Sequence, residues 1–88
     1  MSWEVLIRSK TAKNIETLPK ENVARIKEVF YLMRINHYQG DIEKMEGEKN
    51  VWRRRVGSYR IFYELFSQKK VIYIFRVERR TTTTYRKR

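Results

Sequence analysis

Three arginines cluster around one predicted turn of the chain. Arg53, Arg55 and Arg60 lie on either side of Gly57-Ser58. A guanidinium group binds phosphate oxygens through paired, charge-assisted hydrogen bonds. Three guanidiniums on one surface could therefore clamp a phosphodiester and stabilise the charge that develops when its phosphorus is attacked. The alternative is an ordinary solvated strand face, and these residues alone leave both interpretations open.

The spacing of these residues predicts a β-hairpin. Gly57 in the first position of a two-residue loop suits a type II′ turn, which needs a positive φ there. Because such a turn fixes the register and side chains alternate between faces, Arg53, Arg55 and Arg60 emerge together on one face. The predicted pairs are Val56–Tyr59, Arg55–Arg60, Arg54–Ile61, Arg53–Phe62 and Trp52–Tyr63. The other face is then apolar apart from Arg54.

Positive charge is concentrated in the second half of the chain. The 88 residues carry a formal net charge of +11. Residues 1–50 contribute +1 and residues 51–88 contribute +10, so the excess lies with the predicted hairpin. This concentration favours a nucleic acid or an acidic protein segment as partner. An anionic membrane is less favoured, because the basic residues fall on strands rather than on an amphipathic helix.

Composition excludes several classes of protein. The length predicts one domain over residues 1–88, and the absence of cysteine rules out disulfides and thiolate metal sites. No apolar run approaches the roughly 18 residues of a membrane span, and no signal-peptide core begins the chain, which predicts a cytoplasmic protein. The sequence has no P-loop, no dinucleotide-binding glycine motif and no histidine paired with a serine nucleophile. We therefore expect no metal and no small-molecule cofactor.

The first half of the chain predicts one strand followed by two helices. Met1 to Arg8 alternates as a strand that is apolar on both faces, which suggests an inner position in the sheet. Ser9 or Thr11 is a candidate cap for the first helix, and Pro19 falls near the first turn of the second. The second helix runs from residue 20 to about residue 36. Its predicted core stripe is Val23, Ile26, Phe30 and Met33, widened by Leu32 and Ile35.

The second half predicts a polar connection and three strands. In the connection, residues 37–50, the carboxylates alternate with lysines, which indicates a solvated loop rather than a metal cluster. These carboxylates are Asp41, Glu43, Glu46 and Glu48. His37 lies at the helix end, where a cationic imidazole would suit the helix dipole. The hairpin strands follow, the second of them ending at Phe66, and the last strand runs from Val71 to Val77.

Three aromatic residues are predicted to join the arginine face. A two-residue loop at Gln68-Lys69 would place Phe75 opposite Phe62 and Tyr73 opposite Glu64. Phe62, Tyr73 and Phe75 would then lie beside the arginines, although a register slip of one residue would move them to the other face. Base stacking and a second small core are both compatible with this arrangement.

Together these elements predict an α+β fold. Two N-terminal helices pack on a small, mainly antiparallel four-stranded sheet, in the order β-α-α-β-β-β, with a short C-terminal tail or helix. The last strand is expected to bring Arg79 and Arg80 close to the hairpin arginines. Tyr85 follows near enough to fold back over the same face, whereas a frayed, solvated tail is the default for terminal residues.

These residues could support a reaction that needs no metal. They could clamp a phosphodiester, stabilise a pentacovalent phosphorane and stack a base on an aromatic ring. The candidate catalytic residues are Arg53, Arg55, Arg60, Arg80 and Tyr85. RNA supplies its own nucleophile, the 2′-hydroxyl, so a metal-independent ribonuclease could work with this set. Tyr85 could exchange a proton if the guanidiniums favour its phenolate, whereas arginine is a good clamp and a poor proton carrier.

Three segments carry a family resemblance. They are Lys44-Met45-Glu46-Gly47, the hairpin Arg53 to Ile61 with its Gly-x-Tyr-Arg turn, and Val77-Glu78-Arg79-Arg80 with Tyr85. With the order of elements, they make the chain resemble the RelE/ParE superfamily of toxin–antitoxin toxins along essentially its whole length. The RelE branch cleaves messenger RNA in the ribosomal A site without metal and is neutralised by a cognate antitoxin. The resemblance therefore implies a toxin with endoribonuclease activity that inhibits translation.

The resemblance also implies roles and partners. Arg60 and Arg80 would hold the phosphate, and Tyr85 would stack on a base or help to activate the nucleophile. The implied RNA-binding residues are Arg53, Arg55, Arg60, Arg79, Arg80 and Arg86. Messenger RNA, the ribosome and an antitoxin are the expected partners, with an acidic, amphipathic antitoxin segment covering the basic face or the helix pair. A ParE-like DNA gyrase inhibitor, or an inactive relative that only binds nucleic acid or antitoxin, remains the alternative.

Overall fold

The computed structural model describes residues 3–79 of the chain. Two helices pack on one face of a mixed five-stranded sheet. In chain order the elements are β1 (Glu4–Ile7), α1 (Ser9–Glu16), α2 (Lys20–Ile35), β2 (Ile42–Lys44), β3 (Val51–Val56), β4 (Tyr59–Phe66) and β5 (Val71–Arg79). The strand order is β1-β5-β4-β3-β2, with β1 parallel to β5 and the other neighbours antiparallel. The predicted α+β fold is confirmed, with five strands instead of four.

The additional strand, β2, is short and polar. Ile42 is its single apolar residue. Because Ile42–Lys44 forms a strand, the prediction of an unstructured polar connection is wrong over these residues. The strand pairs antiparallel with β3, and Glu43 lies opposite Arg53. Cross-strand pairing of opposite charges stabilises such an edge strand without apolar burial. Hydrophobic periodicity therefore gives no signal for it.

The first strand lies at an edge of the sheet, not at an inner position. In the sheet formed by residues 3–79, β1 pairs with β5 alone. Trp3 and Val5 pack against the core, whereas Leu6 remains 44% exposed. An apolar residue on each side of a strand reports what lies above and below the sheet, and it does not report how many strands flank it. The inference of an inner position was wrong for this reason.

Helix α1 is anchored to the sheet by two of its side chains, one of which, Thr11, was a candidate cap. Among the described residues, Arg8 occupies the N-cap position and no side chain caps the helix. The Thr11 hydroxyl instead donates a hydrogen bond of 2.8 Å to the carbonyl of Phe75. The Asn14 amide donates one of 3.4 Å to the carbonyl of Val77. These bonds give partners to backbone carbonyls of β5 that lie beyond the end of β1 and have no strand of residues 3–79 beside them on that side. They also hold the end of β5 in place.

Helix α2 supplies the main apolar layer. Ile26, Phe30 and Met33 of the predicted stripe are buried, Val23 packs partly against them, and Val29 completes the contact with the sheet. On the sheet the facing residues with almost no exposure are Ile61, Tyr63, Ile72 and Ile74. Leu32 and Ile35 are exposed, so the predicted widening of the stripe is wrong. Neither helix of residues 3–79 has the length and apolar character needed to cross a membrane.

Candidate nucleic-acid interface

The β3–β4 hairpin forms with the predicted register. Gly57 has a φ of +58° and Ser58 stays in the ordinary negative region, as a type II′ turn requires. All five predicted pairs are present, from Val56 opposite Tyr59 to Trp52 opposite Tyr63. The buried side chains of Val56, Tyr59, Ile61 and Tyr63 face the helices. Alternation then places Arg53, Arg55 and Arg60 on the opposite face of the sheet, which we call the arginine face.

A β-bulge changes the predicted pairing of the last two strands. The expected register holds from Phe66 opposite Val71 to Tyr63 opposite Ile74, and then shifts, so that Phe62 lies opposite Arg76 rather than Phe75. A bulge sets two residues of one strand against one of its partner. Phe75 and Arg76 accordingly both lie near Phe62, with ring centroids 6.4 Å apart and the Arg76 Cζ atom 5.5 Å from the Phe62 ring.

The aromatic residues beside the arginines form a continuous group. The rings of Tyr73 and Phe75 stack with centroids 6.5 Å apart, and Phe62 adjoins Phe75. All three side chains are partly exposed. They therefore lie together as the sequence predicted, although the bulge brings Arg76 among them as well.

Two rows of charge cross the arginine face. The first reads Asp41, Arg55, Arg60, Glu78, because Arg55 pairs with Arg60 and Arg60 pairs with Glu78 across neighbouring strands. Arg55 Nε donates a hydrogen bond of 3.0 Å to Asp41 Oδ2, and Arg60 Nη1 lies 3.6 Å from Glu78 Oε1. Two directly opposed arginines would repel each other. A carboxylate at each end of the row offsets that repulsion.

The second row lies one step further from the turn. Glu43 and Arg53 form a salt bridge between β2 and β3. At the other side of the face, Arg76 Nη2 lies 2.8 Å from Glu78 Oε2. Four guanidiniums thus meet three carboxylates, and the local excess is a single positive charge.

A cavity lies between the arginines and two carboxylates, one in β2 and one just before it. Its volume is about 190 Å³, and its lining is Asp41, Glu43, Arg53, Arg55 and Arg60. This space is large enough to admit a phosphate group. Guanidinium donors and carboxylate acceptors both converge on it. The cavity can bind an anion only in competition with its own acids.

Sequence reasoning missed the three carboxylates of this site. Asp41 and Glu43 were interpreted as part of a solvated loop, but they contact Arg55 and Arg53. Glu78 received no role, although it contacts Arg60 and Arg76. One signal was present, since the spacing of Asp41 and Glu43 by two residues matches the spacing of Arg53 and Arg55. The matching spacing points to pairing of β2 with β3 only after β2 has been recognised as a strand.

Of the remaining predicted site residues, the structure describes Arg79 alone. Arg80, Tyr85 and Arg86 lie outside the described residues. Arg79 ends β5 opposite Tyr59, one residue out of phase with Glu78, so it lies at the same end of the sheet but on the helix side. There it lines a small depression with Asn22 and Arg25 of α2. The structure therefore brings Arg53, Arg55 and Arg60 together and separates Arg79 from them.

Two polar groups are buried on the other side of the sheet. Arg54, the predicted misfit, lies there with its Nε and Nη1 atoms buried and no acceptor for them within residues 3–79. Burial raises the pKa of Tyr63 to about 12, and the nearby Arg54 charge only partly opposes this rise. Burial also lowers the pKa of His37. This shift favours the neutral imidazole over the cation that would suit the helix dipole.

Gly40 lets the loop after α2 pass over Arg54. It has a φ of +96°, and a Cβ atom at this position would lie 2.6 Å from the Arg54 Cζ atom. We expect Gly40→Ala to lower the free energy of unfolding by about 1–3 kcal/mol, from backbone strain and displacement of Arg54. Chemical denaturation monitored by circular dichroism measures this change.

Gly47→Ala is the matched control for this substitution. Gly47 also has a positive φ, of +80°, but nothing lies within 4 Å of its added Cβ. It should incur the backbone strain alone. If the two variants lose equal stability, or if Arg54→Ala does not reduce the loss in Gly40→Ala, the Arg54 contact is not responsible.

The family model described as "ParE toxin of type II toxin-antitoxin system, parDE" matches residues 5–83. The chain belongs to this family, within the RelE/ParE superfamily.

Named relatives come from the RelE side of the superfamily. A Methanocaldococcus jannaschii protein named, provisionally, toxin RelE1 is 28% identical over 83 residues, covering 91% of this chain and 92% of its own. The archaeal RelE-RelB complex from Pyrococcus horikoshii OT3 contains a chain with a TM-score of 0.79 and 28% identity, over 93% of this chain and 99% of that one. The RelB-RelE antitoxin-toxin complex from Methanococcus jannaschii gives a TM-score of 0.73 at 26% identity, over 94% and 99%.

Proposed function

We propose that this toxin is a metal-independent endoribonuclease. It cleaves messenger RNA in the ribosomal A site and so inhibits translation in the cytoplasm. The observation that carries the proposal is the convergence of Arg53, Arg55 and Arg60 on one cavity of the arginine face. The RelE names of the relatives add support.

The proposed chemistry is an attack of the RNA on its own backbone. The 2′-oxygen bonds to phosphorus, its proton is removed, and the bond to the 5′-oxygen breaks as that oxygen gains a proton. Arg60 and Arg80 hold the phosphate and stabilise the phosphorane, because charge accumulates there in the transition state. Arg53 and Arg55 clamp the strand as fixed cations. Tyr85 stacks on a base or helps to move the proton, and Arg86 binds a flanking phosphate.

The proposed protein partner is a cognate antitoxin. The two archaeal relatives are solved as RelE-RelB complexes. On this chain, Tyr31, Leu32 and Ile35 form an exposed apolar stripe along α2, which supports docking of an amphipathic segment on the helix pair. The acids paired with its described arginines leave the arginine face less positive than those arginines alone suggest, so it offers less to an acidic segment.

A ParE-like inhibitor of DNA gyrase is the second candidate, favoured by the family model that matches the chain. Controlled expression of the toxin distinguishes the two activities. The proposal predicts growth arrest with messenger RNAs cut inside codons and plasmid supercoiling unchanged. Growth arrest with intact messenger RNA and a loss of supercoiling would establish the gyrase activity instead. Arg80→Ala should abolish cutting while the variant still folds. Tyr85→Phe should abolish cutting if the phenol moves the proton, and should preserve it if the ring only stacks on a base.

A further inference from the structure

Each of the three arginines that line the cavity is already paired with an acid of the same chain. The pairs are Arg53 with Glu43, Arg55 with Asp41, and Arg60 with Glu78. The acids come from three places in the chain: the residue before β2, β2 itself, and β5. Because they reach the arginines from both flanks of the hairpin, no single loop movement would free the whole site.

Asp41 is held by two hydrogen bonds from Arg55. Its carbonyl accepts the backbone N–H of Arg55 at 2.9 Å, while its carboxylate accepts the Nε–H of the same residue at 3.0 Å. Glu43 is fixed by strand register, directly opposite Arg53. Both carboxylates line the cavity into which a phosphate would have to fit. They therefore occupy positions that phosphate oxygens would take.

We propose that Asp41, Glu43 and Glu78 are built-in counter-ions that compete with RNA phosphates for the arginine face and thereby set its selectivity. The inference rests on the proposed function, since it assigns these acids a role toward the same RNA. A phosphate that enters must displace a carboxylate, so an isolated phosphate or a loosely held strand gains little binding free energy. An RNA strand held in place by other contacts can exchange several pairs at once.

The exchange has a measurable signature in salt dependence. Binding of single-stranded RNA releases counter-ions, and the logarithm of affinity falls with the logarithm of salt by about 0.7 per neutralised phosphate. A carboxylate that stays beside the bound strand repels its phosphates and lowers the effective number of phosphates that the arginines neutralise. Removing the competing carboxylates should therefore steepen the salt dependence as well as tighten binding.

The test is fluorescence anisotropy with a short, labelled single-stranded RNA whose 2′-O-methyl riboses prevent cleavage. We expect D41N/E43Q to bind about 3- to 10-fold more tightly than wild type near 0.1 M salt. The slope of its log affinity against log salt should be steeper by up to about 1.4, the value for two more neutralised phosphates. Glu78→Gln, on a different strand, should shift affinity in the same direction and provides an independent check if the double variant folds poorly.

Glu48→Gln is the matched control. It removes a carboxylate from the same segment of the chain, and among the salt bridges of residues 3–79 Glu48 has no part. It should change affinity less than about 2-fold, as expected for a screened, distant charge. If Glu48→Gln tightens binding as much as Glu78→Gln, net charge alone explains the effect and the inference is overturned.

Other outcomes separate this inference from the proposed function. If Arg60→Ala weakens RNA binding while D41N/E43Q and Glu78→Gln leave it unchanged, the arginine face binds RNA but the acids do not compete. If wild type binds no RNA and D41N/E43Q does, the inference is supported in its strongest form. If none of these proteins binds RNA at low salt, the inference falls together with RNA binding by the isolated toxin. Ribosome-dependent cleavage would then stand or fall on its own test.

Discussion

Replacement of Arg60 by alanine is expected to lower the rate of messenger-RNA cleavage by about 10²- to 10³-fold, the usual effect of removing one group that stabilises transition-state charge. The fold should survive. Arg60 lies directly opposite Arg55, so its removal relieves a repulsion between like charges. Glu78 keeps a partner, since Arg76 Nη2 lies 2.8 Å from its Oε2 atom. Single-turnover cleavage on programmed ribosomes and thermal unfolding measure the two effects separately.

Arg25→Ala is the matched control for this experiment. Arg25 lies next to the same turn, with its Nη1 atom 3.4 Å from the position of a Cβ on Gly57, but it belongs to α2 on the opposite side of the sheet. The variant therefore loses the same charge near the same turn and should keep nearly full activity. Equal losses in the two variants would show that cleavage depends on total charge, and a fully active Arg60→Ala would remove Arg60 from the site.

Two isoleucines of one helix provide the largest expected contrast in stability. Ile26 is 1% exposed and Ile35 is 62% exposed, and both belong to α2. Ile26→Ala leaves a cavity under the sheet and should lower the free energy of unfolding by about 2–5 kcal/mol. For a chain of this length, that corresponds to a fall in Tm of at least about 8 °C. Denaturant and thermal unfolding monitored by circular dichroism measure both quantities.

Ile35→Ala is the control, because it changes the intrinsic helix propensity in the same way. On the exposed side of α2 it should alter stability by no more than about 0.5 kcal/mol. The pair also decides between the sequence interpretation, which put Ile35 in the core, and the structure, which does not. A loss in Ile35→Ala comparable to that in Ile26→Ala would contradict the described packing of α2.

The hairpin was predictable from sequence because its determinants are local. Gly57 in a two-residue loop fixes the turn, the turn fixes the register, and the register fixes the face of every side chain. The positions of Arg53, Arg55 and Arg60 follow from that chain of steps. The stripe from Ile26 to Met33 was predictable for a similar reason, since helical periodicity is a property of one segment.

The rest of the site depends on contacts between distant segments. Strand β2 is stabilised by pairing with β3, and a stretch with a single apolar residue gives no periodic signal of its own. The bulge that sets Phe62 opposite Arg76 arises from the fit between β4 and β5, which no single strand encodes. For these reasons the acids Asp41, Glu43 and Glu78 could not be assigned to the arginine face from sequence, and the arginines looked more available than they are.

Primer extension on a defined messenger RNA, with and without programmed ribosomes, tests the central claim most directly. The purified toxin and its Arg80→Ala variant are compared under the same conditions. The account predicts cuts at A-site codons that require ribosomes, need no added metal beyond that of the ribosome buffer, and disappear in the variant. Intact messenger RNA from a toxin that still arrests growth would contradict the account and direct attention to gyrase.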